Sequence, residues 1–355
     1  MRNVLLVSGV YIATLIGAGF ASGQEIISFF VRYGKIGVLG VFLACVAFGV
    51  FAAVLLSGAA QRKVRNFEDY LSCVMPRGLC KAVHFLMIVF MMSVFTVMIS
   101  GAGAAGHTVF GLAPVWGALL LCVLSLIVFT FDLRGMMAIN SVLGGILVVG
   151  IFLSCYYILR YREGQVFASF DQLLQNWSVS AMSYVGYNVL TAGVILLDMS
   201  GFIRTKRQAA GVGVVSGICL FALMAVLWLV LNTYYGKIPL GEIPMLTLAL
   251  RQKTLFATLY GVLLFLSIFT TAVSNGYGVI DGVKKIVSTR IAAGFVISIG
   301  FLCSGFGFST LIDHLYRACG ILGIFIPAYF VVAEVKNMKK LKKRRKTEKI
   351  RGIEV

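Results

Sequence analysis

From residue 82 to residue 131 the chain contains no Asp, Glu, Lys or Arg. At about 1.5 Å of rise per residue, a helix of that length would be more than twice as long as the roughly 30 Å hydrocarbon core of a bilayer. One crossing cannot use such a stretch, so the chain must turn, and Gly111 and Pro114 mark the place. Apolar runs of spanning length lie near 4–31, 37–60, 82–109, 114–131, 135–159, 177–199, 208–232, 254–281, 291–308 and 313–335. Composition agrees: 60% of residues are hydrophobic and 12% charged, about half the charge of a soluble domain. Soluble enzyme, secreted disulfide scaffold and disordered chain are excluded. The expected fold is an all-α integral membrane protein with ten transmembrane helices.

The net charge of +18 does not point to nucleic acid, because ten of the 31 Lys and Arg residues fall between Lys336 and Arg351. A basic tail over 336–355 is expected to meet anionic lipid headgroups on the cytoplasmic side. With the N-terminus placed inside, 23 of the 31 cations face the cytoplasm, and both termini are then cytoplasmic. Residues Arg2 onward fit a cleaved leader in part, but apolar sequence continues to Phe30 and Val31, so a first span is expected instead. The eight cysteines are scattered without a C-x-x-C, which supports neither a metal site nor a disulfide framework.

Two connections of about twenty residues, 61–81 and 233–253, follow the second and seventh spans. This spacing predicts a 5+5 inverted repeat, with one half over 1–160 and the other over 161–335. In such repeats the first helix of each half is interrupted near the midplane. Span one reads IGAGFASGQE over 16–25, with three glycines and a Ser22-x-x-Glu25 capping box, a helix-start signature inside a spanning run. Span six reads SYVGYNVLTAG over 183–193, with Asn188 as an N-cap candidate just after Gly186. Helices one and six are therefore expected to be interrupted. The competing reading is close helix packing, since Gly19-x-x-x-Gly23 is also a G-x-x-x-G pattern.

The segment IGAGFASGQEIISFF over 16–30 resembles the first helix of the YkvI-like bacterial membrane proteins, of the amino acid–polyamine–organocation superfamily of LeuT-type transporters. The resemblance covers the ten-span layout to about residue 335. It implies a solute site between helices one, three, six and eight, and an ion between the break of helix one and hydroxyls of helix eight.

At a break in helix one, the carbonyls of Ile16, Gly17, Ala18 and Gly19 would suit a cation, and the amides of Gly23, Gln24 and Glu25 a carboxylate. Ser22 would cap the restarted helix. By the resemblance, Thr270 and Thr271, with Ser274 nearby, complete a sodium shell with Ile16 and Gly19; the alternative is that these hydroxyls bond back to their own helix. Glu25 is the one acidic residue well inside a span. It is a candidate proton carrier, a counter-charge for a cationic solute, or only the capping partner of Ser22. Tyr184, Gly186, Tyr187 and Asn188 would line the second break, with aromatic faces able to close over a solute. Asp198 and Asp281 are read as interfacial charges and Asp313 with His314 as a solvated pair.

The function expected is secondary active transport of a small polar solute, an amino acid or related amine, in a bacterial cell membrane. Coupling would be to sodium or protons, and no cofactor is expected beyond that ion. The alternative is a non-transporting sensor on the same scaffold, such as a germinant-receptor subunit. No P-loop and no converging catalytic set is present, so neither ATP drive nor an enzyme is expected.

Overall fold

The computed structural model describes residues 1–62, 64, 67–129, 136–160, 176–251, 254–283, 287–334 and 336. The loop cations Lys63, Arg65, Arg134, Arg162, Lys253, Lys284 and Lys285, and the basic tail beyond Lys336 with its expected lipid contact, lie outside the described residues. All regular structure among the described residues is helical. Six helices are long and apolar enough to cross a membrane: Val31–Arg62, Arg77–Phe110, Trp177–Asp198, Lys206–Tyr234, Ala257–Val283 and Phe308–Glu334. Shorter apolar helices at Arg2–Leu15, Pro114–Phe129, Gly145–Arg160 and Thr289–Ser304 occupy the other predicted runs. Rows of large apolar side chains face outward, as at Leu39, Phe42, Val46 and Val50. Faces of this kind need a lipid solvent, and the chain is a multi-pass membrane protein.

We number the helices α1 (Arg2–Leu15), α2 (Ala18–Ser22), α3 (Gln24–Phe29), α4 (Gly37–Arg62), α5 (Phe67–Val74), α6 (Arg77–Phe110), α7 (Pro114–Phe129) and α8 (Met136–Arg160). Then come α9 (Trp177–Asp198), α10 (Lys206–Tyr234), α11 (Pro244–Leu250), α12 (Thr254–Val283), α13 (Thr289–Ser304) and α14 (Phe308–Glu334). The long charge-free run divides where the sequence predicts: Gly111 caps α6 in the left-handed conformation (φ 66°), and Pro114 opens α7.

The first span is interrupted as expected. α1 stops at Leu15, Gly17 is extended (φ −86°, ψ −177°), and a five-residue segment runs to Gly23, whose φ of 83° suits glycine. The capping box does not form. Ser22 Oγ instead donates to the Gly19 carbonyl at 2.7 Å and accepts from the Gln24 amide at 3.2 Å, while Glu25 turns away from it.

The sixth span corrects the expectation: α9 runs without interruption through Tyr184, Gly186, Tyr187 and Asn188. Gly186 is there for contact between helices. A Cβ at this position would lie 2.2 Å from the Gly320 carbonyl oxygen and 2.8 Å from the Ile324 nitrogen, so α9 and α14 touch backbone to backbone. Asn188 caps nothing, and its amide donates to the Tyr184 carbonyl one turn back at 2.9 Å. Gly186→Ala should therefore force two backbones apart and cost about 1–3 kcal/mol, seen as a lowered melting temperature in detergent. An unchanged value would mean that the two helices do not meet there.

Candidate functional site

A cavity of about 1220 Å³ opens beside the break in the first span. Ile16, Gly17, Ala18 and Gly19 of the break line it, with Glu25 from α3, Tyr187 and Asn188 from α9, and Thr270, Thr271 and Ser274 from α12. Ten of the predicted site residues thus share one wall system. Ser22, Gly23, Gln24, Tyr184 and Gly186 do not line it. The amide cradle expected at 23–25 is therefore off the wall, apart from the Glu25 side chain.

Glu25 is 6% exposed. Its carboxylate folds back over Gly19, where a Cβ would sit 2.1 Å from Oε1, so glycine at that position leaves room for the acid. The carboxylate lies within electrostatic reach of the hydroxyls of Tyr184, Tyr187 and Tyr316. Thr270 Oγ1 donates to the Ser267 carbonyl at 3.2 Å, the back-bonding alternative, yet its lone pairs still accept a cation. Among the described residues no group of three His, Cys, Asp or Glu converges as a metal site.

Sequence reasoning missed several wall residues: Thr14, Phe90, Thr191, Ser267, Asn275 and Tyr316. One of them carried a signal, because Ser267, Thr270, Thr271 and Ser274 stand at i, i+3, i+4 and i+7, a single helix face.

The cavity is open on one side only. Its mouth is lined by Glu68, Lys81, His84, Asp198 and Asp281, so the two aspartates read as interfacial sit at an entrance. On the opposite side the rings of Phe29, Phe30, Phe48, Tyr184 and Tyr187 form a buried layer with centroid separations of 5.1–5.9 Å. Above it, Arg32 Nη2 contacts both Asp313 carboxylate oxygens at 2.8 and 2.9 Å, and Ser28 donates to the same group. Asp313 is thus paired with Arg32 and Ser28, and only part-exposed to solvent. It lies in a π turn, Ile312–Tyr316, that widens α14 where it faces α3. Arg317 adds a bond to the Ser28 carbonyl at 3.0 Å.

No family model matches the chain. It is 23% identical to the uncharacterized membrane protein YkvI of Bacillus subtilis (strain 168) over 325 residues, 89% of this chain and 91% of YkvI. It is 26% identical to the uncharacterized protein YyaD of the same organism over 332 residues, 92% of this chain and 94% of YyaD. Among solved structures, MhsT in complex with L-phenylalanine superposes with a TM-score of 0.62 at 15% identity, covering 92% of this chain and 88% of MhsT. A Na+-coupled sialic acid symporter superposes with a TM-score of 0.58 at 14% identity, covering 92% of this chain and 78% of the symporter. Along most of its length the chain resembles the YkvI-like bacterial membrane proteins, and its fold is that of the LeuT-type transporters.

Proposed function

We propose that this protein is a secondary active transporter that moves a small polar solute, an amino acid or related amine, by alternating access across a bacterial cell membrane. The observation that carries this reading is a cavity at a helix break, open at one mouth and closed at the other by an ion pair over an aromatic layer. A pore would be continuous and an enzyme would need converging catalytic groups. A one-sided cavity that ends at unwound backbone suits a carrier. The ten spans form two five-helix halves, 1–160 and 161–335, of inverted topology. Packing of α1 on α9, α4 on α10 and α6 on α12 supports this pairing of equivalent helices. With both termini cytoplasmic, the open mouth faces inward.

Coupling is to sodium or protons. A sodium ion would take the carbonyls of Ile16 and Gly19 with the hydroxyls of Thr270 and Thr271, and Ser274 beside them; Glu25 is the candidate if the coupling ion is a proton. The substrate contacts proposed are Gly17, Ala18, Gly19, Glu25, Tyr187 and Asn188. The sodium-coupled neighbour in fold supports the ion reading.

Solute flux into proteoliposomes tests the proposal. Solute binding without flux would instead favour the sensor alternative. Thr271→Ala should weaken sodium-dependent thermal stabilisation, with sodium affinity reduced about tenfold or more. Sodium stabilisation equal to that of the parent protein would remove Thr271 from the ion site.

A further inference from the structure

The charges along the cavity run against those of the chain. Among the described residues, a protein of net charge +18 lines this cavity with four carboxylates, Glu25, Glu68, Asp198 and Asp281, and one Lys or Arg, Lys81. His84 at the mouth lies 3.5 Å from Glu68. Such a path concentrates cations and repels anions. At its inner end Glu25 forms no ion pair among the described residues, although it is 6% exposed. The guanidinium groups of Arg32 and Arg317, which contact the segment that carries Glu25, are occupied elsewhere, Arg32 by Asp313 and Arg317 by the Ser28 carbonyl and the Phe29 ring.

Beside Glu25 stands an aromatic wall. The Tyr187 and Tyr316 ring centroids are 4.9 Å apart, and Phe90 lies 5.5 Å from the first and 5.9 Å from the second. All three rings line the cavity. The Tyr187 hydroxyl is buried there against the Glu25 carboxylate, so the acid has a neutral donor beside it and no cation paired with it among the described residues. A carboxylate with aromatic faces is a setting for an ammonium ion. A solute carboxylate finds no such welcome, for among the described residues no Lys or Arg lines the cavity beyond its mouth and the amides of 23–25 are off the wall.

We propose that the solute is an organic amine that needs no carboxylate, a monoamine or diamine, whose ammonium is held by Glu25 against the rings of Tyr187, Tyr316 and Phe90. This rests on the transporter reading and narrows its substrate class. Matched pairs that differ only in the carboxyl group test it: cadaverine with lysine, agmatine with arginine, tyramine with tyrosine. Binding to the purified full-length protein is measured by calorimetry and thermal shift at constant sodium.

In at least one pair the amine should bind about tenfold or more tightly than its amino acid, and Glu25→Gln should weaken that binding about tenfold or more. Glu25→Asp should keep part of it. Gly19→Ala, which pushes the carboxylate aside, should also weaken it, and these two variants carry the test if Glu25→Gln does not fold. Equal or tighter binding of the amino acids, no binding of any amine, or amine binding undiminished in Glu25→Gln would each overturn the assignment. Counterflow in proteoliposomes separates the two readings. Amine binding without flux defeats transport and leaves the amine site standing. Flux of an amino acid without amine binding does the reverse.

Discussion

Arg62→Ala should destabilise this protein by about 3–5 kcal/mol, the range for breaking a buried ion pair from one side. Its partner, Glu334, is 3% exposed near the end of α14. Arg62 Nη1 donates to Glu334 Oε1, and the Tyr70 hydroxyl donates to the same oxygen at 2.8 Å. Gly58 makes room for the group, since a Cβ there would lie 2.3 Å from Oε1. Without the guanidinium, the carboxylate keeps one hydroxyl donor in a site that excludes water. A melting temperature lower by at least about 5 °C in detergent is expected. Adding Glu334→Gln to Arg62→Ala should recover much of the loss, because the neutral amide carries no uncompensated charge. If the single variant melts with the parent protein, the pair does not hold α4, α5 and α14 together.

That pair shows where sequence reasoning stops. Arg62 and Glu334 are 272 positions apart, and Arg32 and Asp313 are 281 apart. Each residue alone reads as a charge at a span end, and nothing local says that the ends meet. Local signals fared better. Gly111 and Pro114 mark the turn between α6 and α7 because one frees φ and the other fixes it. The glycines of 16–25 mark the break because three weak helix formers in a row of ten, one needing positive φ, cannot sustain a helix.

The same composition misled at Gly186. Glycine beside a polar residue suits a break or a close helix contact equally well. The deciding fact, a Gly320 backbone 2.2 Å from the missing Cβ, lies on a helix far along the chain. Glu25 was legible as an intramembrane acid, but its posture over Gly19 was not, because the capping pattern offered it a local partner that the structure does not use. Ser267 was within reach of periodicity alone.

Asp313→Ala should open the closed end of the cavity and close the mouth. The Asp313 carboxylate holds Arg32 through two contacts at 2.8 and 2.9 Å and accepts from Ser28, which ties α14 to the segment after the break. The Arg32 and Asp313 side chains are 22% and 29% exposed, so solvent screens the pair and its loss is worth about 1–2 kcal/mol. That loss falls only on the state in which the pair exists. If the protein alternates between two mouths, the ratio of outward-open to inward-open molecules should rise about five- to thirtyfold. A native thiol reports the change: Cys80 lines the mouth, whereas Cys73 is exposed on α5 outside the cavity. Alkylation of Cys80 relative to Cys73, followed by peptide mass spectrometry, should slow severalfold in the variant. An unchanged ratio with Arg32 unpartnered would mean that this contact does not bias access, and the aromatic layer beneath it would be the barrier that matters.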